Sequence, residues 1–187
     1  MRAKRSCCLL LAIAACHAEG GGDEGEPLPP RQLVDAYGWS PTPPADDMFV
    51  AMKTGRTECV PVDDYGGVDF GGYPAFEVHT EFCNYATVSQ EIAEDVFAGE
   101  HVNVRMWHFD LRAPDPAQGY TAVAVEDVVR WEYNVAIPAD GALASYGWIT
   151  DVDIPAGTPL QFHVQNHGLN SWNLIEIVAG PPPDDEG

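Results

Sequence analysis

Between Met48 and Gly180 apolar residues recur at every second position. Phe76–Thr80 alternates, as does Ala122–Val125. His101–Met106 places Val102, Val104 and Met106 on one face, and Val129, Trp131, Tyr133, Val135 and Ile137 form a longer set. Leu160, Phe162 and Val164 alternate with Gln161, His163 and Gln165. Period two with one apolar face predicts half-buried antiparallel strands. Turn chemistry separates them at Ala98-Gly99, Pro114-Asp115-Pro116, Asp140-Gly141 and Pro155-Ala156-Gly157. Ser89–Val96 suits either a strand or a short helical segment, and strand is the assignment taken. Seven to nine short strands do not cover themselves as one flat sheet. The expected fold is therefore all-β, an antiparallel two-layer β-sandwich built as a single domain over 48–180.

The first residues obey a different pattern. Arg2, Lys4 and Arg5 precede an apolar run from Cys7 to Ala15. Nine helical residues rise about 14 Å, too little for a bilayer core that takes about 20 residues. A basic stretch, a short apolar stretch and small residues describe a secretory signal peptide, 1–15. The quartet Ile13-Ala14-Ala15-Cys16 resembles the lipobox of bacterial lipoproteins. That resemblance implies cleavage before Cys16 and fatty acylation of it, palmitate included, so that the partner is a lipid bilayer and the address the bacterial envelope. His17, where Asp would favour inner-membrane retention, points to the outer membrane. An ordinary secreted protein is the alternative.

Residues 16–47 are rich in Gly, Pro and acidic side chains, and they read as the lipidated Cys followed by a solvated tether. Val34–Trp39 is a segment with the means to dock locally. Residues 181–187 read as a disordered tail. The chain carries a formal charge of −20, and a signal peptide would remove three basic residues and no acidic one. Such a surface repels phosphate backbones, which excludes nucleic acid as a partner. With Cys7 and Cys8 in the signal and Cys16 acylated, Cys59 and Cys83 remain, and an oxidising compartment pairs them as a disulfide.

The ending "DIPAGTPLQFHVQNHGLNSWNLIEI" resembles the last two strands of galactose-binding-like jelly-roll modules. The resemblance implies a jelly-roll topology and, as some carbohydrate-binding modules share it, a glycan as one class of ligand. The segment 163–173 gathers amide, imidazole and indole groups at a strand end. Sugars present hydroxyl edges and apolar C–H faces, which suit amides beside a flat aromatic. Asn170, Asn173 and His167 are the expected hydrogen-bonding groups, and Trp172 or Trp148 the platform. The competing reading has Trp172 closing the sandwich and the asparagines serving turns.

No catalytic signature is present: no Gly-x-Ser-x-Gly, no His-Glu-x-x-His, no phosphate loop. Ser89, Ser145 and Ser171 have no informative local setting, and the expectation leans away from an enzyme. No cofactor is expected. A transition metal held by His79, His108 and His167 is the weaker alternative, and calcium at Asp63, Asp64 and Asp69, or at Asp151 and Asp153, weaker still. The leading expectation is a noncatalytic envelope lipoprotein that displays a recognition module for a glycan or an envelope component. A metal-binding or metal-dependent periplasmic protein using His108 and His167 is one alternative, and a structural assembly partner the other.

Overall fold

A computed structural model of the chain describes residues 29–181. Cys16 and the expected signal peptide, most of the expected tether and the tail beyond 181 lie outside the described residues. Eleven strands follow one another: β1 (Arg31–Gln32), β2 (Ser40–Pro41), β3 (Tyr65–Phe70), β4 (Tyr73–His79), β5 (Tyr85–Glu91), β6 (His101–His108), β7 (Ala117–Val125), β8 (Val128–Ile137), β9 (Ala142–Ile149), β10 (Pro159–Gln165) and β11 (Ser171–Gly180). Among the described residues the only helical element is a 3-10 turn at Val50–Lys53. Ser89–Val96 enters β5 only as far as Glu91, after which Val96 makes an isolated bridge to Ile154.

The first sheet has the order β3-β4-β11-β6-β9, with β1 on the far part of β11. The second has the order β2-β5-β10-β7-β8. Every pairing between these strands is antiparallel. From β4 to β11 the partners are β4 with β11, β5 with β10, β6 with β9 and β7 with β8. One long antiparallel ribbon has thus been wound so that its successive quarters fall in alternate sheets. That is the jelly roll, and it follows from the chain's own register.

Alternation delivers the core. Phe76, Val78, Val102, Val104, Met106, Leu174 and Ile177 of the first sheet face Ala86, Val88, Val123, Val125, Trp131, Leu160, Phe162 and Val164 of the second. Trp172 is fully buried among them. Gly119 makes room for it, since a Cβ there would lie 2.6 Å from the indole. Cys59 and Cys83 form the expected disulfide, with Cα atoms 4.9 Å apart.

The domain begins well before residue 48, and the boundary expected there is corrected. Residues 31–47, read as tether, belong to the sandwich. Arg31 and Gln32 pair with Ala179 and Val178, while Ser40 and Pro41 pair with Ser89 and Val88. Leu33 and Val34 are buried, and Trp39 packs on Phe76 and Phe162 with ring centroids 5.5 and 6.1 Å apart. Arg31 grips Glu100 through both terminal guanidinium nitrogens, at 3.0 and 2.7 Å. Burial pushes the Glu100 carboxyl up, but the Arg31 hydrogen bonds and charge overcome it and leave the carboxyl below its ordinary value. Average composition concealed this segment. A handful of well-placed apolar side chains and edge hydrogen bonds repay the ordering of a Pro-rich stretch, because proline has already surrendered much of its freedom.

Candidate functional site

The residues expected to form a site in 163–173 do not converge. Along β11 Trp172 and Leu174 face the core, so Asn173 points to the outer face of the first sheet, between Glu77 and Trp107. The side chain of Asn170 is turned inward, its Oδ1 accepting the Arg112 backbone N–H at 2.6 Å. His167 is exposed at the end of the second sheet. Trp148 is half-buried against the core, opposite Val102 and near the far end of β6. Trp172 offers no platform because the sandwich interior consumes it.

The metal alternative fails on direction. His108 follows Val102, Val104 and Met106 into the core side of β6, fully buried. Its Nδ1 contacts the Phe109 carbonyl oxygen at 2.8 Å and its Nε2 the Tyr133 hydroxyl at 3.2 Å. His79 follows Val78 and points to the opposite side of the same sheet, and His167 lies by the second sheet. Among the described residues no group of three or more His, Cys, Asp or Glu is disposed to hold a metal ion. Four of the five acidic residues considered for calcium serve other partners. Asp64 and Asp69 accept the Val60 and Gly72 amides, Asp153 accepts the Ala98 amide, and Asp151 pairs with Arg130.

A different site emerges on the outer face of the second sheet. Half of that face is roofed. The segment 42–58 crosses β5 and β10, and Phe49 is laid flat on His163, with ring centroids 4.3 Å apart and planes 9° from parallel. Gln161 donates to the Asp46 carbonyl at 2.6 Å and accepts from the Met48 amide at 3.3 Å. Tyr85 donates to Asp47 at 2.5 Å, and the Thr42 amide to the Thr87 carbonyl at 3.0 Å. Phe49, Tyr85, Ala122 and Ala124 make a second small core outside the sandwich. His163, bonded through Nδ1 to the Thr87 hydroxyl at 2.9 Å, is fully buried, and burial drives its pKa down to about 3. Burial and the bond to Asp47 push the Tyr85 hydroxyl up.

Where the roof stops, a groove of about 1000 Å³ begins. Its floor is the outward row of β7, β8 and β10: Gln118 and Tyr120, Glu132 and Asn134, and Gln165. Tyr120 lies opposite Asn134 in the register. Met52, Gly55 and Arg56 form the wall on the roofed side, with Asn84 and His167 also lining the groove. Tyr120 donates to the Glu132 carboxylate at 3.2 Å, and burial, followed by that carboxylate, raises its hydroxyl to about 12. It therefore stays a neutral donor throughout the physiological range. The Oε1 atom of Gln165 is buried without a hydrogen-bond partner. The arrangement offers four carboxamides, a phenol ring and one guanidinium along a concave polar surface. It is suited to a ligand rich in hydroxyl groups.

Of the five ligand candidates, only His167 lines this groove. The others were missed for a physical reason. Glu132 and Asn134 were visible as polar alternates of the Val129–Ile137 set, but Gln118 and Tyr120 precede the alternation read at Ala122–Val125, and only the β7–β8 register sets the four side by side.

No known family profile matches the chain, and neither does any curated protein. Solved structures do resemble it. The K3 cleaved adhesin domain of Lys-gingipain from Porphyromonas gingivalis superposes with a TM-score of 0.43 at 13% identity, covering 82% of this chain and 100% of that one. The CBM22-1 xylan-binding domain of Xyn10C from Paenibacillus barcinonensis gives 0.38 at 10%, covering 83% and 94%. A structure described as Family 16 Carbohydrate Binding Module-2 gives 0.37 at 11%, covering 62% and 84%. The sandwich and its groove are defined by this chain's own strand register and side chains.

Proposed function

We propose that the protein is a recognition module which binds a glycan in the groove over β7 and β8, and which is tethered to the outer membrane through an acylated Cys16. The observation that supports the glycan is the groove floor. Gln118, Asn134 and Gln165 present amides able to donate and accept at once, as sugar hydroxyls require, and Tyr120 supplies a ring edge and face beside them. Arg56 adds a fixed positive charge to a molecule that is otherwise strongly acidic, favouring a sugar with an anionic substituent. The reading of the anchor rests on the lipobox alone.

A glycan array probed with the purified domain, followed by calorimetry on each hit, tests the groove. Tyr120→Ala and Asn134→Ala are expected to weaken binding at least tenfold while the melting temperature stays within a few degrees. An array without hits, or hits that both variants bind as tightly as the parent, rejects the site. Mass spectrometry of the membrane-extracted protein tests the anchor separately. The expected N-terminal residue is acylated Cys16, and an unmodified Cys16 with residues 1–15 still attached rejects it.

A further inference from the structure

The opposite outer face, on the first sheet, holds an arrangement of another kind. Ser171 opens β11 and lies directly across from His79 at the end of β4. The next pair, Thr80 with Asn170, carries a backbone hydrogen bond of 2.9 Å. The Ser171–His79 pair is therefore of the closer, non-hydrogen-bonded type, whose side chains stand near each other. Ser171 Oγ is 2.8 Å from His79 Nδ1. Across the ring, His79 Nε2 is 2.9 Å from Glu77 Oε2. Glu77 and His79 are two apart on one strand and so share a face. The imidazole is half exposed, its side chain at 52%, and the carboxylate is more sheltered at 18%. Solvent reaches the base more readily than the group that orients it.

We propose that Ser171, His79 and Glu77 form a nucleophile–base–carboxylate site that hydrolyses small acyl esters. Glu77 accepts the Nε2–H bond and so selects the tautomer whose Nδ1 is free to take a proton. Phe109 follows β6 one step past the Trp172–His108 pair, which sets it beside Ser171 on the side away from His79. Its half-exposed ring is 6.2 Å from Trp107 and 5.9 Å from Phe70. These rings form an apolar bed for the acyl chain or for an aryl leaving group. Because Asn170 turns its backbone groups towards β4, the Ser171 N–H points the other way, beyond the last β11–β6 pair. It is the donor placed to meet an oxyanion. Asn173, next on the same face, is fully buried, and both of its carboxamide atoms lack a hydrogen-bond partner.

The reaction balances with water alone. Ser171 Oγ attacks the acyl carbon as its proton passes to His79 Nδ1. The bond to the leaving oxygen breaks and that oxygen takes the proton. Water then attacks the acyl-serine, giving one proton to His79, which returns it to Ser171 Oγ as the carboxylic acid departs. Ser171 and His79 are the catalytic residues, and Glu77 is a positioning residue.

The site lies on the face opposite the groove, so it stands or falls apart from glycan binding. The test treats the full chain with a fluorophosphonate probe and with 4-nitrophenyl acetate. One adduct on Ser171 and a burst of nitrophenol are expected. Ser171→Ala removes both, and His79→Ala slows labelling about 100-fold. Glu77→Gln lowers kcat at least tenfold with KM unchanged, and Glu77→Asp restores part of it, a split that a merely structural carboxylate would not produce. A parent protein without an adduct, or an adduct that forms equally fast in Ser171→Ala or His79→Ala, overturns the proposal. In that event the three side chains are only a polar clasp at the strand ends.

Discussion

The two outer faces of the sandwich grow from the same alternating pattern and end in opposite states. On the first sheet most outward positions keep some contact with solvent, Asn173 being a buried exception: Leu143 and Ile149 are exposed on β9, and Arg105 pairs with Glu176 at 2.9 Å across β6 and β11. On the second sheet Gln161, His163, Ala122 and Ala124 also point outward, yet they are buried. The difference is the segment 42–58. It brings its own aromatic, Phe49, and it satisfies the amides and hydroxyls that it covers. A polar residue on the outward side of a strand is thus no guarantee of solvent. It states which layer the residue faces, and another part of the chain decides whether that layer is water.

The roof is the difference, so the sharpest attack on the comparison is at its tie point. Cys59→Ala with Cys83→Ala opens a 24-residue separation, and the chain-entropy account gives a loss of about 3–4 kcal/mol in urea denaturation. Hydrogen exchange adds the spatial information. The Thr42 and Phe49 amides are expected to lose protection before those of β6 and β11. Equal loss on both faces would mean that the roof is no separate layer.

Next in size is acid. His163 has a folded pKa near 3 against an unfolded value near 6.5, so the unfolded chain binds the extra proton. The stability tied to its neutral form is complete above about pH 6.5 and drains as pH falls towards 3. By pH 4.5 that loss is about 2.5 kcal/mol. Glu100 loses its own contribution in the acid range, so the comparison must be with a variant. His163→Phe, which keeps a ring beneath Phe49, is expected to lose that much less between pH 7 and 4.5. An identical acid slope in both proteins would show that His163 is not sealed.

The smallest effect belongs to the open face. Arg105→Ala is expected to cost under about 1 kcal/mol, since its pair with Glu176 is partly exposed and screened. A larger loss would mean that the first sheet is covered too.

Much of the fold could be read from the residues. The sets Val102–Met106 and Leu160–Val164 became the inward faces of β6 and β10, and Val129–Ile137 that of β8 except for Val129, which the irregularity in the β7–β8 register turns outward. The disulfide was equally plain once the two cysteines were sorted from the other three. Residues 31–47 were misjudged, since a segment of edge pairings and isolated anchors such as Leu33 and Trp39 has no period to find. The site was hardest. Trp172, read either as a platform or as closing the sandwich, proved to be core, while Ser171, beside it, had no visible setting until His79 was placed opposite.

By itself the sequence determined the class of element, the apolar side of most strands and the cysteine pair, all of which depend on neighbours close along the chain or on simple counting. Tertiary structure decided what stands beside what: the winding of the ribbon, the roof over one face, the groove beside it and the Ser171–His79–Glu77 alignment. The physical reason is that strand pairing joins residues from distant parts of the chain. A register carries chemical meaning only when both partners are known, and no local pattern names the second partner.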